Sequence, residues 1–180
     1  MAGQEAAVTE ATDDSAVEAH RLSDDGRFPN SLLPVLVYRG VQARDADPAD
    51  GFERLFASNG WTGAWRDRVY DFHHYHSTAH EVLGCSRGRA SLRLGGPSGL
   101  MLEVDPGTVL VIPAGVAHCA EESSDDFEVV GATAGGLNWD MNGGEPGERA
   151  RTLPAIAAVP LPKADPVQGA EGPLPRLWRS

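Results

Sequence analysis

The central part of the chain is a series of short apolar segments separated by turn residues. Turn signals lie at the breaks between these segments: Gly88, Gly95-Gly96-Pro97, Asp105-Pro106-Gly107, Pro113-Ala114-Gly115 and the polar run from Glu121 to Asp126. Short strands at this spacing are typical of an all-β sandwich or barrel. We therefore predict strands at Val69–His76, Glu81–Ser86, Arg89–Leu94, Leu100–Val104, Val109–Ile112 and Phe127–Thr133, preceded by another at Leu32–Tyr38.

Three histidines and one glutamate in this region form a pattern suited to binding a metal. His74 and His76 lie one residue apart on a predicted strand, so their imidazoles share a face. Glu81 can return to that face if residues 77–79 form a turn, and His118 follows a Pro/Gly turn further along the chain. Such a mixed nitrogen and oxygen site suits one divalent transition metal, which can be Fe, Mn, Co, Ni, Cu or Zn.

Both segments resemble the sequence motifs of the cupin superfamily. His74-x-His76-x4-Glu81-x6-Gly88 is similar to the first motif, and Gly107-x5-Pro113-x-Gly115-x2-His118 is similar to the second. Glu122 stands where the second motif usually has Asn, which is not a metal ligand. The resemblance implies a double-stranded β-helix, or jelly-roll barrel, with four metal ligands: His74, His76, Glu81 and His118.

A wider resemblance covers roughly residues 28 to 178. In this range the chain resembles the YjlB-like group of single-domain cupins, in the segments Phe28-Pro29-Asn30, Asn59-Gly60-Trp61, Asp165-Pro166-Val167 and Gly172-Pro173-Leu174. This resemblance implies the fold and the metal site but no particular reaction.

Strand alternation predicts which neighbours share the face of the ligands. With Glu81 as a ligand, Leu83 and Cys85 lie on the metal side of their strand, whereas His80 and Val82 lie on the other side. We therefore expect His80 to support a ligand or to lie at an interface. Cys85 is predicted to be a small buried core residue, and an approach to the metal is the alternative.

Several aromatic residues lie near the histidines in the sequence. Tyr70 and Phe72 share the predicted face of His74 and are expected to pack in the core, with lining a substrate pocket as the alternative. Trp61 and Trp65 are expected to cover the barrel rather than to contact a ligand.

The domain organisation follows from composition. Residues 1–26 are polar and acidic, so we predict a disordered segment in which His20 is solvated. Residues 27–140 form the predicted barrel, with one short amphipathic helix that ends near Asn59. Residues 141–180 are rich in Pro and Gly, so we predict an ordered tail without regular secondary structure, laid across the barrel.

Charge and cysteine content restrict the class of partner. The net charge of −11 disfavours binding to nucleic acid. No apolar run is long enough to span a membrane, and the N-terminus lacks the pattern of a secretory signal. Two cysteines are too few for a disulfide framework, so we expect a reducing, cytoplasmic location. The sequence leaves a homodimer open.

The predicted centre suggests a function. A divalent ion with three neutral imidazoles and one carboxylate has a net charge of about +1 and about two open positions. Such a centre can polarise a carbonyl group or activate water or dioxygen. We therefore expect a metalloenzyme, such as a dioxygenase, isomerase or lyase, that acts on a small, oxygen-bearing and anionic molecule. The alternative is a non-catalytic binding or sensing protein with a structural metal.

Overall fold

Two antiparallel sheets face each other around an apolar interior. The computed structural model describes residues 9–10 and 17–179 of the chain. In chain order the elements are β1 (Thr9–Glu10), β2 (Val17–Leu22), β3 (Ser31–Tyr38), α1 (Pro48–Ser58), β4 (Trp61–Asp67), β5 (Glu81–Arg87), β6 (Ala90–Leu94), β7 (Leu100–Val104), β8 (Val109–Ile112), β9 (His118–Ser123), β10 (Glu128–Ala134), α2 (Arg149–Ala158) and α3 (Leu174–Leu177).

The two sheets differ in size. The larger has seven strands in the order β1-β2-β3-β8-β5-β10-β4, and the smaller has three in the order β7-β6-β9. Strands β7 and β8 begin and end where the sequence predicts, and β3, β5, β6 and β10 agree within one residue at each end. Gly88 and Gly107 have positive φ values of 68° and 93°, so the predicted glycine turns between the strands are also confirmed.

The predicted strand at Val69–His76 is wrong. The strand in this part of the chain is β4, which pairs with β10 and ends at Asp67. The following residues carry only isolated bridges, from His74 to His118 and from Tyr75 to Asn142. His74 therefore keeps a local extended pairing, although neither His74 nor His76 belongs to a strand of the sheet. Strand β9 was not predicted, because its second half is polar and exposed.

Alternation places opposite side chains of β5 in different cores. Leu83 and Cys85 belong to the interior core, which is enclosed by side chains from both sheets. Val82 belongs to a second core on the outer face of the larger sheet, as the alternation predicts. Helix α1 covers this face with Phe52 and Phe56, which lie against Gly84. A Cβ atom on residue 84 would lie only 2.8 Å from Cδ1 of Phe52. The predicted helix is confirmed, and Asp47 caps its N-terminus.

The prediction of disorder is wrong for the second half of the N-terminal segment. Strand β2 pairs with β3, and its Ala19 and Leu22 are buried in the two cores. His20 is also buried and contacts Glu18 at 3.1 Å, so it is not a solvated residue. Backbone pairing with β3 stabilises a sequence with too few large apolar residues to predict a strand. The rest of the predicted disorder, at residues 1–8 and 11–16, lies outside the described residues.

The C-terminal segment contains regular structure that the sequence analysis missed. Helix α2 forms despite Pro154, and the hydroxyl of Thr152 lies 3.0 Å from that of Tyr75. Near the end of the chain, Leu174 and Trp178 are buried in the outer core beside α1. The contact of Thr152 with Tyr75 stabilises α2 against the helix-breaking tendency of Pro154. Among the described residues, no helix is both long enough and apolar enough to cross a membrane.

Candidate metal centre

Three of the predicted ligands meet at one end of the barrel. His74, His76 and His118 are buried, and their potential ligand atoms all lie within 4.8 Å of one another. His74 and His118 form a two-way backbone bridge, with N···O distances of 3.2 and 2.9 Å. This bridge joins the loop before β5 to the start of β9, and thereby brings together histidines that are 44 positions apart in the sequence.

The three imidazoles are held in the same way. Nδ1 of His74 donates to the carbonyl of Phe72 at 2.9 Å, and Nδ1 of His118 donates to that of Val116 at 3.1 Å. Nδ1 of His76 donates to the carbonyl of Asp140 at 2.5 Å. A carbonyl accepts only from a protonated nitrogen, so Nε2 of each neutral ring keeps its lone pair. This is the orientation that metal-binding histidines have in other proteins, where the second nitrogen is held by a carbonyl or carboxylate.

Glu81 lies beside the three histidines. Its Oε1 is 3.6 Å from Nε2 of His76, and its Oε2 is 3.2 Å from Nε2 of His118. Oε2 is buried and makes no hydrogen bond within the described part of the chain, which leaves an acceptor available. A buried carboxylate is costly unless a positive charge or a metal compensates it. The orphaned oxygen and the three Nε2 lone pairs therefore fit a divalent transition metal.

The electrostatics of the site fit the same conclusion. Burial and the neighbouring His118 together lower the pKa of His74 to about 3, so the ring is neutral and able to bind a metal at neutral pH. Burial would lower the pKa of His76 as well, but the Glu81 carboxylate outweighs burial and raises that pKa. Burial opposes ionisation of Glu81, yet His76 and His118 hold the pKa of its carboxyl well below the usual range. The Glu81 carboxyl is thus ionised, and the positive charge beside it comes from a protonated imidazole or from a bound cation.

Asp140 supports the loop that carries the ligands, and the sequence analysis missed it. Its carboxylate accepts from the backbone N–H of Ser77 at 2.6 Å and from the Ser77 hydroxyl at 2.5 Å. Its carbonyl is the acceptor for His76, as described above. Arg151 of α2 contacts the same carboxylate at 3.3 Å. These hydrogen bonds lower the pKa of Asp140 to about 2 against the effect of its burial. No local pattern in the sequence pairs residues so far apart.

His80 and Cys85 do not lie among the candidate ligands. His80 is buried on the other side of β5, where Nδ1 accepts from the N–H of Ala114 at 2.9 Å and the ring packs against Trp178. Burial lowers the pKa of His80 to about 4. The thiol of Cys85 donates to the carbonyl of Arg87 at 3.4 Å within the interior core. Both placements agree with the predicted strand alternation.

A cavity of about 160 Å³ opens beside the histidine cluster. Tyr70 lines it, so for this residue the expected core position is wrong. Phe72 stacks on Tyr70 and is not a core residue either. Tyr70 is 43% exposed and Phe72 is 48% exposed. Trp65 also lines the cavity, together with Trp139, which the sequence analysis did not single out.

The two sheets, the enclosed apolar interior and the histidine cluster at one end of the barrel define a cupin. The chain belongs to the same family as "Uncharacterized protein YjlB" of Bacillus subtilis. The two are 40% identical over 156 residues, which cover 86% of this chain and 92% of YjlB. The predicted superfamily and fold are therefore confirmed. No family model matches the chain.

Solved structures with a similar fold are more distant in sequence. Procruciferin, an 11S globulin from Brassica napus, has a TM-score of 0.39 and 16% identity over 68% of this chain and 30% of its own. Acireductone dioxygenase from Bacillus anthracis, solved with a cadmium ion in its active centre, has a TM-score of 0.33. It is 17% identical over 47% of this chain and 57% of its own. This chain thus spans less than two thirds of either protein.

Proposed function

We propose that this protein is a metal-dependent enzyme that acts on a small, oxygen-bearing and anionic molecule. The centre would consist of His74, His76, Glu81 and His118, with one divalent transition metal per chain. The observation that carries the proposal is the common orientation of the three imidazoles, each held at Nδ1 by a backbone carbonyl. The Glu81 carboxylate lies beside two of them, 3.6 Å from Nε2 of His76 and 3.2 Å from Nε2 of His118. This donor set suits Fe, Mn, Ni, Co, Cu or Zn.

The protein residues would contribute position and environment. A metal at this place supplies Lewis-acid polarisation or, if it is redox-active, dioxygen chemistry. The backbone carbonyls fix the imidazole rings, and the buried position of Glu81 keeps the cluster out of bulk water. The net charge of −11 repels anions at long range, so an anionic substrate would have to be attracted locally. The cavity beside the cluster gives such a substrate access.

The metal assignment is tested by elemental analysis of protein purified without chelators. We expect about one transition-metal ion per chain, and its loss in the double variant His76→Ala, His118→Ala, because two of the proposed ligands are removed. His73→Ala is the matched control, since His73 adjoins the cluster in sequence but is not part of it. Full metal retention in the double variant would contradict the assignment.

Catalysis is tested separately from metal binding. Metal-defined protein is incubated with a panel of small carboxylates and hydroxy-ketones, with and without dioxygen, and the products are followed by NMR. We expect turnover that the double variant lacks. Binding of these molecules without turnover would favour a non-catalytic binding or sensing protein instead.

A further inference from the structure

Three large aromatic side chains, together with Val69 and Leu83, line the cavity beside the histidine cluster. Trp65, Tyr70 and Trp139 line it, and the ring centroids of Trp65 and Trp139 lie 6.4 Å apart. Trp139 also contacts the ring of His76 at 4.9 Å, and Tyr70 contacts that of His74 at 5.3 Å. The aromatic surface is thus continuous with the proposed metal ligands. An apolar cavity of roughly 150 Å³ holds benzene, so a cavity of about 160 Å³ has room for one six-membered ring.

Trp65 carries an unused hydrogen-bond donor. Its Nε1 is buried and has no hydrogen-bond partner among the described residues. The indole packs so closely on Gly131 of β10 that a Cβ at that position would overlap it. A buried indole N–H normally finds an acceptor.

The cations at the cavity wall are already paired. The guanidinium of Arg66 contacts Asp50 at 2.5 Å and Glu53 at 2.7 Å. The guanidinium of Arg68 donates to the hydroxyl of Ser123 and to the carbonyls of Ser124 and Asp125, at 2.6 to 3.0 Å. Within the described lining, neither arginine is left to bind a ligand anion. A second anionic group, away from the histidine cluster, would therefore lack a partner.

We propose that the cavity binds a small planar aromatic molecule with a single oxygen-bearing head group. The ring lies against Trp65, Tyr70 and Trp139, and the head group faces the histidine cluster. This inference rests on the proposed function, because the head group is assigned to the metal. It narrows the substrate class in two ways. Aliphatic molecules would not use the aromatic walls, and molecules with two anionic groups would leave one charge unpaired.

The test is a titration of cobalt-loaded protein with four probes: acetate, succinate, hexanoate and benzoate. The cobalt absorption spectrum reports the head group at the metal, and saturation-transfer NMR reports the apolar part of the probe in the cavity. We expect benzoate to bind at least about tenfold more tightly than each of the other three, because only benzoate places a ring on the aromatic walls.

A variant pair tests the walls themselves. Trp139→Ala should weaken benzoate binding about fivefold or more relative to acetate binding, because acetate has no ring to lie on this wall. The side chain of Trp139 is 40% exposed, so its loss should leave the fold intact. Leu153→Ala is the control, since Leu153 is similarly exposed but does not line the cavity. An unchanged benzoate affinity in Trp139→Ala would overturn the inference.

The two proposals fail in different ways. If hexanoate or succinate binds as tightly as benzoate, the aromatic class is wrong while the metal proposal stands. If cobalt does not load, or no probe changes the cobalt spectrum, the proposed function is wrong. Saturation transfer to benzoate then tests the aromatic site independently of the metal. A signal that is present in the unaltered protein and lost in Trp139→Ala supports the site, and the absence of a signal in the unaltered protein overturns it.

Discussion

At the scale of single residues, two neighbours at the start of β5 have opposite surroundings: Glu81, the first residue of the strand, and His80, which precedes it. Glu81 faces the three histidines with a carboxylate oxygen that lacks a hydrogen-bond partner among the described residues. His80 faces the outer core, where it accepts a hydrogen bond from the backbone of Ala114 and packs against Trp178. Because side chains alternate along a strand, residues one position apart face opposite sides of the sheet. One of the two can therefore be a ligand while the other is a structural residue.

Substitution of these two neighbours should separate metal affinity from stability. Glu81→Ala should lower metal affinity by more than about 100-fold, since residues that only support a ligand contribute about 10–100-fold. His80→Ala should stay within that smaller range. It should lower the free energy of unfolding by about 1–3 kcal/mol, because the Ala114 N–H loses its acceptor. Chelator competition measures the first quantity and urea unfolding the second. The opposite order of metal affinities would show that His80, not Glu81, is the ligand.

At the scale of elements, the segment after β10 holds the ligand loop in place. Asp140 accepts three hydrogen bonds from residues 76 and 77, and Arg151 of α2 contacts its carboxylate. Tyr75, between the two ligands, donates to Glu148 at 2.9 Å and belongs to a small core with Phe28 and Ala117. The geometry of the histidines therefore depends on a segment that contributes no ligand itself.

Loss of the Asp140 carboxylate should weaken metal binding without unfolding the protein. Asp140→Ala removes both acceptors of Ser77 but keeps the carbonyl that accepts from His76. We expect metal affinity to fall about 10–100-fold, as for other groups that orient a ligand. Chelator competition measures the affinity, and Glu145→Ala, an exposed position in the same segment, is the control. An unchanged affinity would show that α2 and its neighbours do not position the site.

At the scale of the whole molecule, both ends of the described chain contribute to the barrel. Strand β2 extends the larger sheet next to β3, and its Leu22 enters the interior core. Near the C-terminus, Trp178 is buried in the outer core and donates to the carbonyl of Pro34 at 2.8 Å. Asp165, which is fully buried, accepts hydrogen bonds from Tyr38 and from three backbone N–H groups, and so anchors the segment before α3.

The C-terminal contact should be important for stability. Trp178→Ala should lower the free energy of unfolding by about 3–5 kcal/mol, because a large buried side chain is replaced by a cavity. Deletion from Leu174 onward should cost at least as much. Urea unfolding measures both, with the exposed neighbour Arg179→Ala as the control. A melting temperature that the deletion does not change would show that the C-terminal segment is free of the barrel.

The N-terminal strand should matter in the same way. Leu22→Ala should lower the free energy of unfolding by about 2–5 kcal/mol, since Leu22 packs in the interior core. Ser23→Ala, at the exposed adjacent position, should have little effect. Equal stability of the two variants in urea would contradict the packing of β2 on the barrel.

The sequence by itself determined those features that depend on neighbouring residues. Glycine and proline turns at Gly88 and Gly107 predicted where strands end, because only local backbone conformation is involved. The period of two along β5 separated Glu81 from His80 for the same reason. The spacing of His74 and His76, with a third histidine after a turn, predicted the cluster that the structure brings together.

Only the tertiary structure decided the features that depend on distant residues. The carbonyl that holds His76 comes from Asp140, 64 positions away, and the aromatic walls combine Trp65 with Trp139. Strand β2 and helix α2 form because partner surfaces satisfy their backbone or bury their side chains, against weak or unfavourable local preferences. Local propensity contributes little free energy compared with packing, so such elements and contacts follow from the path of the whole chain.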